Sequence, residues 1–274
     1  FIKISVPLFV LTGAFLISFS SVFVATVDLE PTVSAFYRVF IGFLALYLFY
    51  CIKEKESPFR TKISKYLYIA AIIFVLDLWF WHRSIIYIGP GLSTLLASLQ
   101  VLIIPFLSYF IFKDVIRKQQ LVAVVIGVSG LFLCLSDDWQ LAGSQYKLGI
   151  LFGVLTALAY SGYTVTLKKA SFHNKQLTNP VHTLLIVSLF ASILLAVTVL
   201  IENNSFTIKS SSGLLWMLCY GVICHVFGWI FILKGMQTIS AVSVGVILIA
   251  QPILSFIWDV LLFNRGISLI EISG

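Results

Sequence analysis

Two ionisable side chains stand inside long apolar stretches of this sequence. Asp77 lies in the segment 72–81 and His225 in the segment 218–233. An ionisable group in such a stretch is costly to bury, so each one is a functional hypothesis by default. Asp77 could bind a proton or a cationic group of a ligand, or it could form an ion pair with Arg38 or His225. His225 could carry a proton, because histidine titrates near physiological pH, or it could make a structural hydrogen bond.

Two glutamines occupy equivalent places in an internal repeat. Residues 67–114 align without a gap to residues 218–265, which sets Gln100 on Gln251 at an offset of 151 residues. Each carboxamide must find partners, because an unpaired polar group in an apolar setting costs on the order of 1–3 kcal/mol. The alternative to a ligand site is a hydrogen bond between helices. We predict that both glutamines line a substrate cavity.

The same repeat pairs two basic residues, and aromatic residues precede one of them. Arg83 falls on Lys234. The pair could act as gates, could draw anionic groups, or could extend to the membrane boundary as snorkelling side chains. Trp79 and Trp81 could lie at the membrane interface, and we expect one of them to face the cavity. Tyr163 is a further candidate, because an aromatic cavity can hold aromatic or cationic solutes.

The composition indicates which environment must position these residues. The chain is 60% hydrophobic and 11% charged, whereas a soluble domain carries about 25% charged residues. Its mean hydropathy is +1.05, so lipid must be its solvent. The net charge of +7 comes from Lys and Arg in short loops, a distribution that does not favour nucleic-acid binding. The four cysteines have no CxxC spacing, and we expect neither a disulfide framework nor a metal site nor a cofactor.

Ten transmembrane helices account for the apolar runs, since each run approaches the roughly 20 residues that a span needs. The runs are too long and too uniformly apolar for the alternating strands of a barrel. We expect Pro105 and Pro252 to kink the fourth and ninth spans. The tenth span is cut short by the end of the sequence. The predicted spans are about 5–27, 33–52, 66–87, 91–112, 119–136, 147–167, 181–201, 213–235, 240–263 and 267 onward.

Loop charges predict the orientation of these helices. One set of loops holds thirteen Lys and Arg residues and the other set holds four, so the positive-inside rule places both termini in the cytoplasm. Five spans in each half make the two repeats, residues 1–140 and 141–274, inverted relative to one another. This arrangement brings Gln100 and Gln251 together at mid-membrane. It places Arg83 near the outer mouth and Lys234 near the inner mouth.

Several short motifs, taken in order, resemble the EamA family of the drug/metabolite transporter superfamily. They lie at residues 19–23, 34–38, 87–96, 105–114 and 234–241. The family pattern has Trp where Phe19 stands, and Glu where Asp114 and Arg265 stand. The resemblance implies ten helices in two inverted repeats and gradient-linked movement of small organic solutes, often export of amino acids. Arg38 matches an arginine of that pattern, and we expect a structural or charge role for it.

The sequence therefore predicts a secondary active transporter of small organic metabolites that works by alternating access. We expect it in the inner membrane of a bacterium, as a monomer or dimer, with a small-molecule substrate and protons as the coupling ion. A nucleotide-sugar or lipid-precursor carrier is the alternative, and it would need a strong anion site at mid-membrane. None of Arg83, Lys234 and Arg38 is central by its position along a span. An intramembrane enzyme is the more distant alternative, and Asp77 and Asp259 stand in separate spans without a supporting motif.

Overall fold

The structure is a computed structural model, and its described part contains helices, turns and connections but no strand. Eight helical segments in that part are long and apolar enough to cross a membrane. They confirm the eight predicted spans that fall on them. The fifth predicted span lies largely outside this part, as does the tenth, so the count of ten stays a prediction. The described residues are 6–54, 57–60, 63–113, 118–119, 122, 125–127, 129–130, 133, 143–173, 179–239, 241–266 and 268.

The first half of the chain contributes four of these eight spans, two of which are broken into shorter helices. The helices are α1 (Val6–Ser18), α2 (Ser20–Thr26), α3 (Pro31–Glu54), α4 (Lys65–Ile88), α5 (Pro90–Ala97) and α6 (Gln100–Phe112). Prolines occupy the first position of α3 and α5, where the missing N–H has no helical partner to lose. Ser64 caps α4 by accepting a hydrogen bond from the Tyr66 N–H.

The second half contributes the other four spans. Its helices are α7 (Ser144–His173), α8 (Pro180–Ile201), α9 (Ser211–Cys219), a π-helix (Tyr220–Gly228), α10 (Trp229–Met236), α11 (Ala241–Ile247) and α12 (Ala250–Phe263). The π-helix interrupts what would otherwise be one long α-helix, and no sequence pattern predicted it. Such segments are rare and are often found at functional sites.

The fourth and ninth predicted spans break at equivalent places. Tight turns separate α5 from α6 and α11 from α12, where the Ser98 N–H bonds Leu95 O at 3.0 Å and the Ile249 N–H bonds Val246 O at 3.2 Å. These two hydrogen bonds are offset by the same 151 residues as the sequence repeat. Helices α6 and α12 also end alike, on left-handed residues Lys113 and Asn264. The repeat is therefore visible in the backbone as well as in the sequence.

The prolines explain only one of these breaks. Pro252 is the third residue of α12, and its ring would meet the carbonyl four residues earlier, at the turn itself. Pro105 lies inside α6, six residues beyond the turn, so the kink expected from Pro105 does not coincide with the break.

Helix packing follows the symmetry expected of two inverted halves. Helix α3 packs on α8, and α5 packs on α12. Helix α4 of the first half packs on α7, and in the same way the equivalent π-helix and α10 of the second half pack on α1. Phe74 and His225 occupy equivalent repeat positions, and their rings stack on each other with centroids 5.7 Å apart. Equivalent residues can touch only near a twofold axis, so the pseudo-twofold axis passes between these rings. We name the side that bears the α4–α5 turn the outer side, following the loop-charge prediction.

Candidate functional site

A small cavity lies between the two halves, close to the Phe74–His225 pair. Its volume of about 30 Å³ has room for about two or three water molecules, since a water needs roughly 10–15 Å³ measured this way. Helices from both halves contribute to its wall. The polar and aromatic residues that line it are Ser20, Arg38, Phe74, Asp77, Trp81, Thr156, Tyr160, Trp229 and Gln251.

One carboxylate and one guanidinium share this cavity. Asp77 and Arg38 are 7% and 4% exposed, and no ion pair within 4.0 Å joins them in the described part of the chain. The Arg38 guanidinium lies instead over the rings of Tyr220, Phe74 and Trp81, with its central carbon 5.0, 5.8 and 5.9 Å from their centroids. The sequence argument that no basic residue is central was therefore wrong for Arg38. Its position along α3 lies toward the outer end, but its long side chain extends into the cavity wall.

A chain of hydrogen bonds connects Arg38 to the backbone of α4. Arg38 Nη1 donates to the Tyr220 hydroxyl at 3.1 Å. That hydroxyl lies 3.2 Å from His82 Nε2, and His82 Nδ1 lies 2.7 Å from the Leu78 carbonyl oxygen. The chain links α3, the π-helix and α4, and sequence analysis singled out neither Tyr220 nor His82 as a site residue.

Several buried polar atoms around the cavity have no hydrogen-bond partner among the described residues. Each such atom costs about 1–3 kcal/mol when nothing satisfies it, and their concentration in one place is typical of a site that a polar ligand or water completes. Those on or beside the cavity are Ser20 Oγ, Arg38 Nε, Gln100 Oε1, Tyr160 OH, Tyr163 OH, His225 Nδ1 and Trp229 Nε1.

The two glutamines lie at the start of the second helix of their broken spans, α6 and α12. Gln251 is the second residue of α12 and lines the cavity. Gln100 begins α6, is 2% exposed, and lies close to the hydroxyl of Tyr160, which does line the cavity. The structure thus places both near the cavity, with Gln251 on its wall and Gln100 behind Tyr160. Their role in binding substrate stays a prediction.

His225 and Tyr163 lie behind the cavity wall rather than on it. His225 Nε2 is 2.7 Å from Ser188 Oγ on α8. An added Cβ at Gly42 would come within 2.3 Å of the His225 ring, so only glycine leaves room for this histidine. Tyr163 is fully buried, and its ring stacks on Phe74 at 4.6 Å. Both residues hold the Phe74 ring in place.

Trp79 and Arg83 are remote from the cavity and form an outer cluster with Glu202. Arg83 Nη2 lies 2.6 Å from Glu202 Oε1 and donates also to Thr32 Oγ1 at 3.1 Å. Trp79 Nε1 donates to the same Glu202 oxygen at 2.8 Å, and the guanidinium of Arg83 sits 3.8 Å from the Trp79 ring centroid. Of the two tryptophans, Trp81 alone lines the cavity. Glu202 was not predicted, although the polar residues after α8 marked that end of the span.

A second outer contact involves Asp259 of α12. Its Oδ2 accepts a hydrogen bond from the Gly91 N–H at 2.9 Å and lies 3.5 Å from Arg265 Nη1, with which Asp259 forms an ion pair. Any Cβ at position 91 would lie 2.6 Å from that oxygen, so glycine is required for this approach. Next to it, Ser255 Oγ lies 2.5 Å from Ser21 Oγ and donates to Thr94 Oγ1 at 3.2 Å. These contacts join the two halves on the outer side.

The inner side carries a different arrangement. Lys234 is exposed and lies over the Phe9 ring at 5.6 Å, so Arg83 and Lys234 have different surroundings although they are equivalent in the repeat.

Lys168 was assigned to a loop from the sequence, but it lies within α7 and is 7% exposed. Its ammonium donates to the carbonyl oxygens of Met236 and Ile239 at the end of α10. Asp114, named in the family pattern, lies outside the described residues.

Comparisons with known proteins agree with this architecture. The sequence model of the EamA-like transporter family matches residues 4–136 and 147–274. A protein of known crystal structure superposes with a TM-score of 0.74 over 97% of this chain and 92% of that one, at 17% identity. At that identity the likeness shows the fold alone.

Two curated relatives are named as transporters. An uncharacterized transporter of Clostridium kluyveri is 23% identical over 188 residues, which are 66% of this chain and 58% of that protein. The uncharacterized inner membrane transporter YhbE of Escherichia coli K12 is 24% identical over 151 residues, 51% of this chain and 46% of that protein. The chain spans about half the length of the curated relatives it matches.

Proposed function

The chain belongs to the EamA-like transporter family, and we propose that it exports small zwitterionic metabolites, such as amino acids, by alternating access. It is an integral membrane transporter. The finer proposal rests on one observation, the presence of a carboxylate and a guanidinium, Asp77 and Arg38, on the wall of the same cavity.

Asp77 and Arg38 are two buried charges, and each of them needs a partner. A buried ion needs an opposite charge or several hydrogen bonds, because leaving it unpaired costs several kcal/mol. Asp77 and Arg38 line the same cavity without a direct ion pair. A ligand that carries an ammonium group and a carboxylate can therefore neutralise both, with its ammonium on Asp77 and its carboxylate on Arg38. The indole N–H of Trp229, which has no hydrogen-bond partner among the described residues, is a further donor for the carboxylate.

The two charges on the cavity wall also bear on the alternative substrates, nucleotide sugars and lipid precursors. A nucleotide sugar or a lipid diphosphate would bring two or more negative charges into a cavity that offers one guanidinium. Its phosphate groups would also approach the Asp77 carboxylate, and like charges that lie close together repel strongly where water is excluded. The Asp77–Arg38 pair therefore favours a zwitterion over a polyanion.

The architecture supports alternating access. The cavity in this conformation has room for only about two or three water molecules, so it must open to admit an amino acid. Two halves that pack symmetrically about an axis at Phe74 and His225 offer two related open states, one toward each side. We propose that protons are the coupling ion and that the transporter lies in the bacterial inner membrane, which the name of the Escherichia coli relative supports.

The proposal is tested by counterflow into proteoliposomes of the purified protein. We expect wild type to exchange a neutral amino acid but to exchange its decarboxylated amine and its deaminated acid poorly. We expect Asp77→Asn to abolish exchange of the amino acid and Arg38→Gln to reduce it at least tenfold, the equivalent of about 1.4 kcal/mol. Asp28→Asn is the matched control, because it makes the same chemical change at an exposed outer carboxylate. Equal exchange of amine, acid and amino acid by wild type would refute the proposal.

A further inference from the structure

Arg38 is held by a directed chain of hydrogen bonds that ends on the backbone of α4. Its members are Arg38 on the cavity wall and, behind it, Tyr220 and His82, which are fully buried. No role in binding has so far been given to Tyr220 or His82. The directions of these bonds show what the two residues do.

The directions follow from which atoms can donate. His82 Nδ1 lies 2.7 Å from the Leu78 carbonyl oxygen, so this nitrogen carries the proton and donates. In the neutral ring Nε2 is then an acceptor, and it receives the Tyr220 hydroxyl hydrogen across 3.2 Å. The Tyr220 oxygen accepts from Arg38 Nη1 at 3.1 Å. This assignment comes from the network itself, and in it His82 and Tyr220 each donate one hydrogen bond and accept one.

The consequence is a guanidinium with a fixed plane. One N–H is committed to Tyr220, and the Tyr220, Phe74 and Trp81 rings all lie within 6 Å of its central carbon. Nε has no hydrogen-bond partner in the described part of the chain. An arginine held in this way presents its remaining N–H groups in a constant direction. A free arginine side chain would lose rotamer entropy on being ordered, and here most of that ordering precedes binding.

We infer that Tyr220 and His82 are positioning residues that set the transporter's selectivity for the carboxylate end of its substrate. This inference rests on the proposed function and adds to it the residues that orient the anion-binding group. Loss of the Tyr220 hydroxyl leaves the Arg38 charge in the cavity but frees its plane. It should therefore weaken recognition of the carboxylate and leave recognition of the ammonium group unchanged.

The experiment compares how tightly an amino acid and its decarboxylated amine bind to purified protein. The readout is the ratio of the two dissociation constants, measured by competition against a labelled amino acid. We expect Tyr220→Phe to lower the preference for the amino acid about tenfold while the affinity for the amine stays the same. A loss of packing would instead weaken both ligands equally, and that result would overturn the inference.

Two further variants control the comparison. Tyr37→Phe removes a tyrosine hydroxyl that donates to Phe206 O at 2.6 Å, on the same helix as Arg38 but away from the cavity, and it should leave the ratio unchanged. His82→Gln can keep an acceptor near Nε2 and should retain most of the preference, whereas His82→Ala should lose it. If Tyr220→Phe cannot be purified, the His82 pair gives the same test.

Different results would refute the proposed function and the positioning role of Tyr220 and His82. A wild-type protein that binds amine and amino acid equally would refute the proposed function. A wild-type protein that prefers the amino acid, together with a Tyr220→Phe variant of unchanged ratio, would refute the positioning role alone.

Discussion

The α4–α5 turn on the outer side and the α10–α11 turn on the inner side are equivalent in the repeat, but opposite charges hold them. At the outer turn, the Asp259 carboxylate accepts from the Gly91 N–H at the start of α5. At the inner turn, the Lys168 ammonium donates to the carbonyls of Met236 and Ile239 at the end of α10. Each charge has the sign that its helix end favours, since the N-terminus of a helix is partly positive and the C-terminus partly negative.

The two contacts differ in which halves they join. Asp259 belongs to α12, in the second half, and it binds a turn of the first half. Lys168 belongs to α7, and it binds a turn of its own half. The outer turn is therefore held across the halves and the inner turn within one half. The ion pair of Arg83 with Glu202 also joins the halves on the outer side, so charged contacts hold the two halves together there.

The largest effect should come from removing the Asp259 charge. Asp259→Asn weakens the bond to Gly91 and leaves Arg265 beside a neutral group. A charge-assisted hydrogen bond contributes about 1.5–3 kcal/mol, so the outward-open state should become roughly 10- to 100-fold more populated. Ser20 lines the cavity, and Ser20→Cys in a background without native cysteines reports the opening. We expect an impermeant thiol reagent added outside to label it correspondingly faster.

Asp28→Asn provides the control for this measurement, because it removes an exposed carboxylate from the same side. If Asp259→Asn labels at the wild-type rate, the outer turn is not part of a gate. The comparison between the two turns would then describe stability only.

The repeat alignment carried most of what the sequence could predict. The offset of 151 residues placed the two glutamines, the two turns and the two helix ends at equivalent positions, and the backbone shows the same offset at Ser98 and Ile249. The span bounds predicted from hydropathy lie within three residues of the observed helix ends in the described spans, apart from the C-terminal end of α7. These features depend on local sequence and on the lipid environment, which act on each helix separately.

What the sequence could not predict depends on contacts between helices. Lys168 looked like a loop residue, because nothing in the apolar pattern indicates that carbonyls from α10 lie beside it. Arg38 looked peripheral, because position along a helix does not tell how far a long side chain extends. The π-helix that carries Tyr220 and His225 has no composition of its own. Glu202 finds Arg83 only after the chain has folded.

A smaller effect, of a different kind, should follow from Lys168→Met. The substitution removes the ammonium from two carbonyl oxygens, and we expect the free energy of unfolding to fall by about 1.5–3 kcal/mol. Because the contact lies within one half, labelling of Ser20→Cys from outside should not change. Thermal unfolding in detergent measures the first expectation and thiol labelling the second. Lys169→Met, a neighbour that lies over the Tyr66 ring at 5.3 Å, should cost less than Lys168→Met. Faster labelling in Lys168→Met would show that both turns act as gates and would remove the distinction between them.

The smallest effect tests whether the first half has a counterpart of Asp259. The equivalent residue is Ser108 on α6, which is fully buried and whose Oγ has no partner among the described residues. Ser108→Ala should therefore leave the free energy of unfolding within about 0.5 kcal/mol of wild type, whereas Ser255→Ala, which loses bonds to Ser21 and Thr94, should lower it by about 1 kcal/mol. A cost for Ser108→Ala as large as that for Ser255→Ala would mean that the inner side already holds a contact equivalent to the outer one. The two turns would then be held in the same way, and the charged contact at Asp259 would not distinguish the outer side from the inner side.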